Sequence, residues 1–306
     1  MFIDGINLFP FSGMAQSYQP STPLESDSLL IPMKRAGRVF LIEAEVDGVP
    51  GNLVFDTGAQ NLVINGVYFR DHVRTDAVSS NGITGAAGEG YQITVGKLAF
   101  ASLTYERLRA DVADLGHLEN KWNVKILGLI GFGMLKDYEL ELDVRNSTLK
   151  LFRLDKSGKR TGRPHGQFRA DYTQEFYEKS NIVYLKAEIG GKLLQFCLDT
   201  GAETNVINSC INKKILNTVS ITRRKVLKGA GSASSEVLYG KMDEFRISDI
   251  NLTGMSTIIT NLCNLNEAYG KTINGMLGYT FMEKGIICIN FKTGLFSMRF
   301  WEGGPK

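Results

Sequence analysis

Two acidic residues occur in the same four-residue motif, Asp-Thr-Gly-Ala, at positions 56–59 and again at positions 199–202. Each motif follows an apolar stretch, Leu53 to Phe55 and Phe196 to Leu198. Each acid therefore ends a strand and is partly withdrawn from water. An isolated carboxylate in such a place is costly, or it takes up a proton. This pattern predicts proton-transfer chemistry.

Asp56 and Asp199 become a catalyst if they face one another. Two such carboxyls cannot both ionise easily, so the pair shares one proton over a broad pH range. The ionised member can then take a proton from a bound water, while the protonated member hydrogen-bonds a substrate carbonyl. The prediction is hydrolysis through a tetrahedral intermediate, with no covalent adduct.

The residues beside the two acids suit that geometry. Gly58 and Gly201 lack a Cβ, so the backbone can approach a reacting group closely. Thr57 and Thr200 carry hydroxyls that can bond the facing loop. One Asp-Thr-Gly is more often a structural turn than a catalytic site. Two copies in matched contexts favour a catalytic pair.

The two motifs belong to a longer internal repeat. Residues 39–46 (VFLIEAEV) align with residues 182–189 (IVYLKAEI), and the register continues without a gap through both motifs. Further along, Gly128 to Phe132 aligns with Gly275 to Tyr279. The repeat predicts two duplicated β-rich lobes.

Composition agrees with an all-β fold. The 306 residues include 33 glycines and only 7 prolines, which suits strands joined by tight turns. We expect an N-terminal lobe over 29–154, a solvated linker over 155–174 that carries a basic stretch, and a C-terminal lobe over 175–306. Residues 1–28 are expected to be a flexible arm or the remnant of an export signal.

A β-hairpin is predicted to close each lobe, formed by strands 140–144 and 149–154 in the first lobe and by 286–291 and 296–300 in the second. Single helical turns are expected at Met134 to Tyr138 and at Phe281 to Lys284, with a short helical piece near Cys210 to Leu216. The sequence shows no other obvious helices.

The doubled motif and the paired apolar-glycine segments resemble the retropepsin and pepsin clan of aspartic peptidases, and its bacterial single-chain members most closely. The resemblance covers about Val39 to Phe300. It implies a bilobal acid-protease fold of two β-barrel-like lobes, with an extended polypeptide bound in the cleft between them. It implies that Asp56 and Asp199 are the catalytic dyad. The residues expected to support the dyad are Thr57, Gly58, Ala59, Thr200, Gly201, Ala202, Ile130, Gly131, Leu277 and Gly278.

Two glycine-rich segments are expected to form flap hairpins that contact substrate. Their candidate residues are Gly85, Ala86, Ala87, Gly88 and Tyr91 in the first lobe and Gly229, Ala230, Gly231 and Tyr239 in the second. Pepsin-like enzymes use one flap and retropepsin dimers use two, so the sequence leaves open which hairpin covers the substrate. Pepsins usually have a hydroxyl residue after Asp-Thr-Gly. Alanine at both places predicts less acidic carboxyls and a working pH nearer neutrality.

The sequence argues against several kinds of partner. The net charge is only +3, with both signs interspersed, so no field exists to hold nucleic acid. No apolar run approaches the roughly 20 residues of a membrane span. The three histidines lack ligands at metal spacing, so no metal or cofactor is expected.

The four cysteines, Cys197, Cys210, Cys263 and Cys288, are expected to be buried thiols, with one disulfide left open. Export to the periplasm or cell envelope is favoured, because the polar stretch 17–28 resembles the start of a mature chain.

The predicted function is that of a monomeric aspartic endopeptidase acting on extended polypeptide. One alternative is a catalytically silent bilobal module that binds a peptide or protein. Another is that each half pairs with a second molecule, as retropepsin subunits do. Both acids and both threonines are intact, which favours chemistry.

Overall fold

Three β-sheets organise the computed structural model, which describes residues 11–12, 16–22, 24–82, 85–162, 168–228 and 234–302. One sheet belongs to each half of the chain, and the third is shared by both halves. The predicted all-β, bilobal fold is confirmed.

The strands of the first half are β1 (Phe11–Ser12), β2 (Ser28–Pro32), β3 (Lys34–Ala36), β4 (Val39–Val46), β5 (Val49–Phe55), β6 (Val63–Asn65), β7 (Arg74–Gly82), β8 (Gly85–Phe100), β9 (Leu103–Ala113), β10 (Ile126–Ile130), β11 (Tyr138–Asp143) and β12 (Thr148–Arg153). The nine-stranded sheet of this half has the order β1-β7-β8-β9-β6-β10-β5-β4-β3. Because β8 also pairs with β4, this sheet curls back on itself as a barrel.

The strands of the second half are β13 (Tyr172–Glu175), β14 (Tyr177–Lys179), β15 (Ile182–Ile189), β16 (Lys192–Leu198), β17 (Asn205–Asn208), β18 (Val219–Lys228), β19 (Ser234–Met242), β20 (Arg246–Ile247), β21 (Ile250–Asn251), β22 (Met255–Thr260), β23 (Gly275–Leu277), β24 (Gly285–Asn290) and β25 (Leu295–Phe300). Their ten-stranded sheet follows the path β18-β19-β22-β17-β23-β16-β15-β20-β21, with β14 paired to β15.

The two predicted closing hairpins are present as β11–β12 and β24–β25. They join the halves, because β11 pairs antiparallel with β24 and places Leu140 opposite Ile289. Strands β2 and β13 complete a six-stranded sheet. Along β11 the buried and half-buried residues alternate, as in a strand that turns one face to the core.

The helices are α1 (Gly116–Trp122), α2 (Lys213–Leu216), α3 (Cys263–Tyr269) and α4 (Tyr279–Met282), with a 3₁₀ turn at Phe132–Met134. The helical turns predicted at 134–138 and 281–284 therefore begin two residues earlier, at Phe132 and Tyr279. The expectation of no other helices was wrong, because α1 and α3 are present. Both are seven residues long, too short for a clear periodic pattern. Each is followed by a left-handed residue, Asn123 or Gly270, which is a common helix stop.

The segment that precedes β2 packs against the first lobe. Tyr18 and Leu24 are buried. The Tyr18 hydroxyl accepts a hydrogen bond from the Leu62 N–H (2.8 Å) and donates to the Arg109 carbonyl (3.4 Å). The composition of 17–28 gave no signal for this packing, because a single buried tyrosine has no periodicity.

The basic stretch after β12 was predicted to be solvated, but part of it is covered. The Arg160 guanidinium donates to Glu139 (2.5 Å) and to Glu141 (2.6 Å), and all three side chains are mostly covered. Both acids lie on β11, so this part of the linker is fixed to the shared sheet. Opposite charges spread over 20 residues of sequence carry no pairing signal.

Candidate active site

Each Asp-Thr-Gly-Ala turn begins where a buried strand ends. Strand β10 lies between β5, its parallel neighbour, and β6, its antiparallel neighbour. All five residues of β10 are buried, as expected for a central strand. This places Ile130 beside the first turn, where its carbonyl accepts from the Asp56 N–H (2.8 Å). In the second half β23 lies between β16 and β17, and the Leu277 carbonyl accepts from the Asp199 N–H (3.0 Å).

The glycine after each apolar residue is required by space. A Cβ at Gly131 would lie 2.3 Å from the Ala59 carbonyl oxygen, and a Cβ at Gly278 would lie 2.5 Å from the Ala202 carbonyl oxygen. Real Cβ atoms do not approach main-chain oxygen so closely. The paired segments therefore hold the two turns from behind.

The two turns face each other directly. A Cβ at Gly58 would lie 2.9 Å from Cγ of Asp199, and a Cβ at Gly201 would lie 2.7 Å from Cγ of Asp56. Each glycine thus packs against the acid of the opposite turn. The predicted residues Asp56, Gly58, Asp199 and Gly201 are brought together by the structure.

The paired threonines interlock the turns through four hydrogen bonds. Thr57 Oγ1 donates to the Leu198 carbonyl (2.9 Å) and accepts from the Thr200 N–H (2.9 Å). Thr200 Oγ1 donates to the Phe55 carbonyl (2.6 Å) and accepts from the Thr57 N–H (3.0 Å). Both threonines are fully buried, so this arrangement fixes the relative position of the two acids.

Both carboxyls are withdrawn from water, with Asp56 1% and Asp199 0% exposed. Each Oδ1 accepts from the N–H of its own motif glycine, at 2.9 Å in the first turn and 2.8 Å in the second. With both acids ionised, Oδ2 of Asp199 has no hydrogen-bond partner among the described residues. A proton held by one acid supplies a hydrogen bond between the two carboxyls.

Burial and proximity set the acidity of the pair. Burial raises the pKa of Asp56 well above its ordinary value, and the charge of Asp199 raises it further. Burial also raises the pKa of Asp199, to about 6. The two titrations are coupled, so the macroscopic pKa values belong to the pair. A singly protonated pair is the state that these shifts favour.

The first predicted flap is a hairpin of β7 and β8, with Ser80 opposite Gly88 and Gly82 opposite Gly85. Ala86 and Ala87 also lie in β8. Tyr91 is half-buried, and the Arg74 guanidinium lies 4.1 Å from the centre of its ring.

In the second lobe, β18 and β19 pair as the flanks of a hairpin. Gly229, Ala230 and Gly231 lie outside the described residues. Tyr239 is half-buried, and the Arg223 guanidinium lies 4.2 Å from its ring centre. Both tyrosines of the predicted flaps thus stack with an arginine of the neighbouring strand.

A buried polar network lies beside the first turn, and no sequence pattern predicted it. Asp111 on β9 is fully buried, and burial raises its pKa. It accepts from Gln92 Nε2 (2.6 Å) and from Asn61 Nδ2 (3.2 Å). Asn61 follows the first motif, so the network ties that turn to β8 and β9. Its members are far apart in sequence and form no motif.

A cavity of about 390 Å³ lies between the halves, beside the second turn. Residues of β18, β19 and β22 form most of its wall, and Arg38 reaches it from the turn that joins β3 to β4. Glu203 and Thr204, which follow the second motif directly, complete it. No pattern in the sequence predicts this cavity.

Within the described ranges, no three His, Cys, Asp or Glu residues are grouped so that they could hold a metal ion. In the same part of the chain, no helix has the length and apolar character needed to cross a membrane. Cys197 and Cys288 are buried as predicted, whereas Cys210 and Cys263 are exposed, contrary to the expectation of four buried thiols. Cys210 lies in a turn and Cys263 begins α3, whereas the two buried cysteines lie within strands β16 and β24.

Comparison with known families supports the resemblance to aspartic peptidases. Residues 185–281, about a third of the chain, match the model of a family described as aspartyl protease. The matched span includes the second Asp-Thr-Gly-Ala turn and its apolar-glycine segment. No curated protein matches the chain significantly. The match supports an aspartic protease-like family, and with it a hydrolase that acts on polypeptide.

Proposed function

We propose that this chain is a single-chain aspartic endopeptidase of the retropepsin and pepsin clan, in which Asp56 and Asp199 activate one water molecule. The observation that carries the proposal is the contact of two fully buried carboxyls from equivalent turns. The stability of the fold does not explain this pair, because two buried acids in contact destabilise a protein unless they share a proton.

The proposed reaction uses one proton and one water. The ionised carboxyl removes a proton from water, the water oxygen bonds to the scissile carbonyl carbon, and the protonated carboxyl donates to the carbonyl oxygen. The pair then delivers a proton to the amide nitrogen, and the C–N bond breaks. Asp56 and Asp199 both lie at the end of a strand that the threonine interlock holds, so little rearrangement is needed during reaction.

The proposed substrate is an extended polypeptide bound between the halves. We propose that the paired strands β7–β8 and β18–β19 flank the route to the dyad, with Tyr91 and Tyr239 as substrate contacts. Since one chain supplies both turns, the active form is proposed to be a monomer. Export remains a prediction that rests on the polar stretch 17–28.

Peptide cleavage tests this proposal. The wild-type chain is incubated with a mixture of unstructured peptides between pH 3 and pH 8, and products are identified by mass spectrometry. Asp56→Asn and Asp199→Asn should each lower kcat/KM by about a thousandfold or more. The matched control is Asp143→Asn, because Asp143 ends β11 beside a turn and its counterpart in the repeat is already asparagine, Asn290.

The control should retain wild-type activity. Equal turnover by wild type and either dyad variant would refute the assignment. Peptide binding without any cleavage by the wild type would instead support the silent binding module.

A further inference from the structure

The cavity beside the second turn carries an excess of positive charge. Among the described residues, its wall includes the cations Arg38, Arg223 and Lys241 and one acid, Glu203. Glu203 is already paired, because Lys121 Nζ lies 2.9 Å from its Oε1. Because Glu203 is paired with Lys121, it does not neutralise the three cations of the wall.

The arginines are held in place without losing their charge. The Arg223 guanidinium lies 4.2 Å from the ring centre of Tyr239, and that of Arg38 lies 5.6 Å from the ring centre of Tyr279. Stacking on an aromatic ring orients a guanidinium and leaves its N–H groups free to bind an anion. Within the described part of the chain, no ion pair joins Arg38, Arg223 or Lys241 to a carboxylate.

We propose that this cavity binds an acidic side chain of the polypeptide substrate, and so selects peptides with Asp or Glu near the cleaved bond. The inference rests on the proposed function. Glu203 and Thr204 line the cavity and follow Asp199 by four and five residues. A peptide at the dyad therefore passes beside the cavity. The volume of about 390 Å³ is ample for a side-chain carboxylate with bridging water.

Paired peptides that differ only by Glu or Gln test the inference. One substitution is placed at each position on either side of a mapped cleavage site, at a pH where Glu is ionised. At one position the Glu peptide should have the higher kcat/KM, by about threefold to tenfold. The preference should shrink in Arg223→Gln and in high salt. Arg246→Gln, an exposed arginine of the same half outside the cavity wall, should keep it.

The outcomes separate this inference from the proposed function. If the wild type cleaves Glu and Gln peptides equally at every position, the inference is wrong and the peptidase assignment stands. If Arg246→Gln loses the preference as much as Arg223→Gln does, general charge is responsible and the cavity is not. If nothing is cleaved, binding of the same peptide pairs is measured by fluorescence anisotropy. Equal binding then overturns the inference, and tighter Glu binding lost in Arg223→Gln supports it.

A second feature, independent of peptidase activity, is a pair of thiols on the surface of the second half. Sγ of Cys210 lies 3.6 Å from Sγ of Cys263, and both residues are exposed. Cys197 and Cys288 are buried in strands. The two Sγ atoms of the surface pair need to approach only a little further to reach the S–S bond length of about 2.05 Å.

Two asparagine turns hold these thiols together. Strands β17 and β22 are parallel neighbours that end side by side. After them, Asn208 Oδ1 accepts from the Cys210 N–H (3.1 Å) and Asn261 Oδ1 accepts from the Cys263 N–H (2.7 Å). Asn208 Oδ1 also accepts from the Leu262 N–H (3.3 Å), so one side chain bridges both loops.

We infer that Cys210 and Cys263 form a reversible disulfide by exchange with a small-molecule disulfide such as oxidised glutathione. One thiolate attacks the glutathione disulfide, which releases one glutathione thiol and leaves a mixed disulfide. The second cysteine then displaces the other glutathione and forms the Cys210–Cys263 bond. Two protons leave the protein, and the oxidant is reduced to two thiols.

The new bond would tie the end of β17 to the start of α3 and enclose the β18–β19 hairpin and β22. Closing that loop restricts the unfolded chain, so the oxidised protein should be more stable. We expect its Tm to rise by at least about 4 °C.

The experiment treats the full chain with oxidised glutathione, then maps peptides by mass spectrometry and measures Tm. A Cys210–Cys263 cross-link that dithiothreitol removes, with Cys197 and Cys288 unmodified, is expected. Cys210→Ser should fold as the wild type does, keep the reduced Tm under oxidation, and carry one glutathione on Cys263. Stable glutathione adducts on both cysteines of the wild type, or a cross-link to another cysteine, would overturn the inference. So would a Tm that does not change on cross-linking.

Discussion

Removing one hydroxyl from the threonine interlock should destabilise the whole molecule. Thr57→Val keeps the shape of the side chain and removes two hydrogen bonds. The Leu198 carbonyl and the Thr200 N–H then lose that partner in a fully buried place. At about 1–3 kcal/mol for each buried group left unsatisfied, the free energy of unfolding should fall by about 2–6 kcal/mol. That is a large share of the roughly 5–15 kcal/mol typical of a folded protein.

Urea unfolding followed by tryptophan fluorescence measures this loss, and Thr57→Ser is the matched control. Serine keeps both hydrogen bonds and removes one methyl group, which costs about 1 kcal/mol. Thr200→Val should resemble Thr57→Val, because its hydroxyl also makes one donated and one accepted bond. Catalytic activity should fall in both valine variants, since the interlock positions the two carboxyls.

An equal urea midpoint for Thr57→Val and Thr57→Ser would show that the hydroxyl bonds contribute little. A large loss in one valine variant and none in the other would contradict the equivalence of the two turns. Either result would refute the reasoning that the interlock holds the dyad.

Three further predictions follow from the same turns. Burial raises the pKa of Asp199 above its unfolded value, so the folded state binds more protons and loses stability as pH rises from about 4 through about 6. The Tm of Asp199→Asn should therefore exceed that of the wild type by more at pH 8 than at pH 4. Equal Tm differences at both pH values would contradict this. Gly131→Ala and Gly278→Ala should each lower the unfolding free energy by at least about 2 kcal/mol, because the new Cβ meets a main-chain oxygen; an unchanged urea midpoint would show that the turns yield. The combined Ala59→Ser and Ala202→Ser variant should shift the acid limb of the pH–rate profile to lower pH, because added donors stabilise the ionised carboxyls, and an acid limb at the wild-type pH would refute this role for the alanines.

The site could be predicted from sequence because its parts are local and repeated. Asp-Thr-Gly-Ala is a contiguous turn, and its repetition in the same context indicates both acids of the proposed dyad. The apolar-glycine segments were also found from the repeat, and the structure places them directly behind the turns. The closing hairpins were visible because strand periodicity and turn residues are short-range signals.

What the sequence missed depends on contacts between distant residues. No local pattern indicates that β11 pairs with β24, because strand partners are chosen by complementary faces and not by composition. The Asp111 network joins residues 19 and 50 positions apart. The cationic cavity draws Arg38 from one half and Arg223 from the other. The two seven-residue helices could have been suspected from Asn123 and Gly270, but propensity over seven residues is a weak signal.

The pH dependence of kcat/KM tests the shared proton most directly. A proton shared by the two carboxyls predicts a bell-shaped profile for the wild type, with activity lost at low pH when both carboxyls are protonated and lost at high pH when both are ionised. The alkaline limb should lie above the ordinary carboxyl range, because burial raises the pKa of both acids. A profile without an alkaline limb up to pH 9, or a bell that survives in Asp199→Asn, would contradict the claim that Asp56 and Asp199 act together.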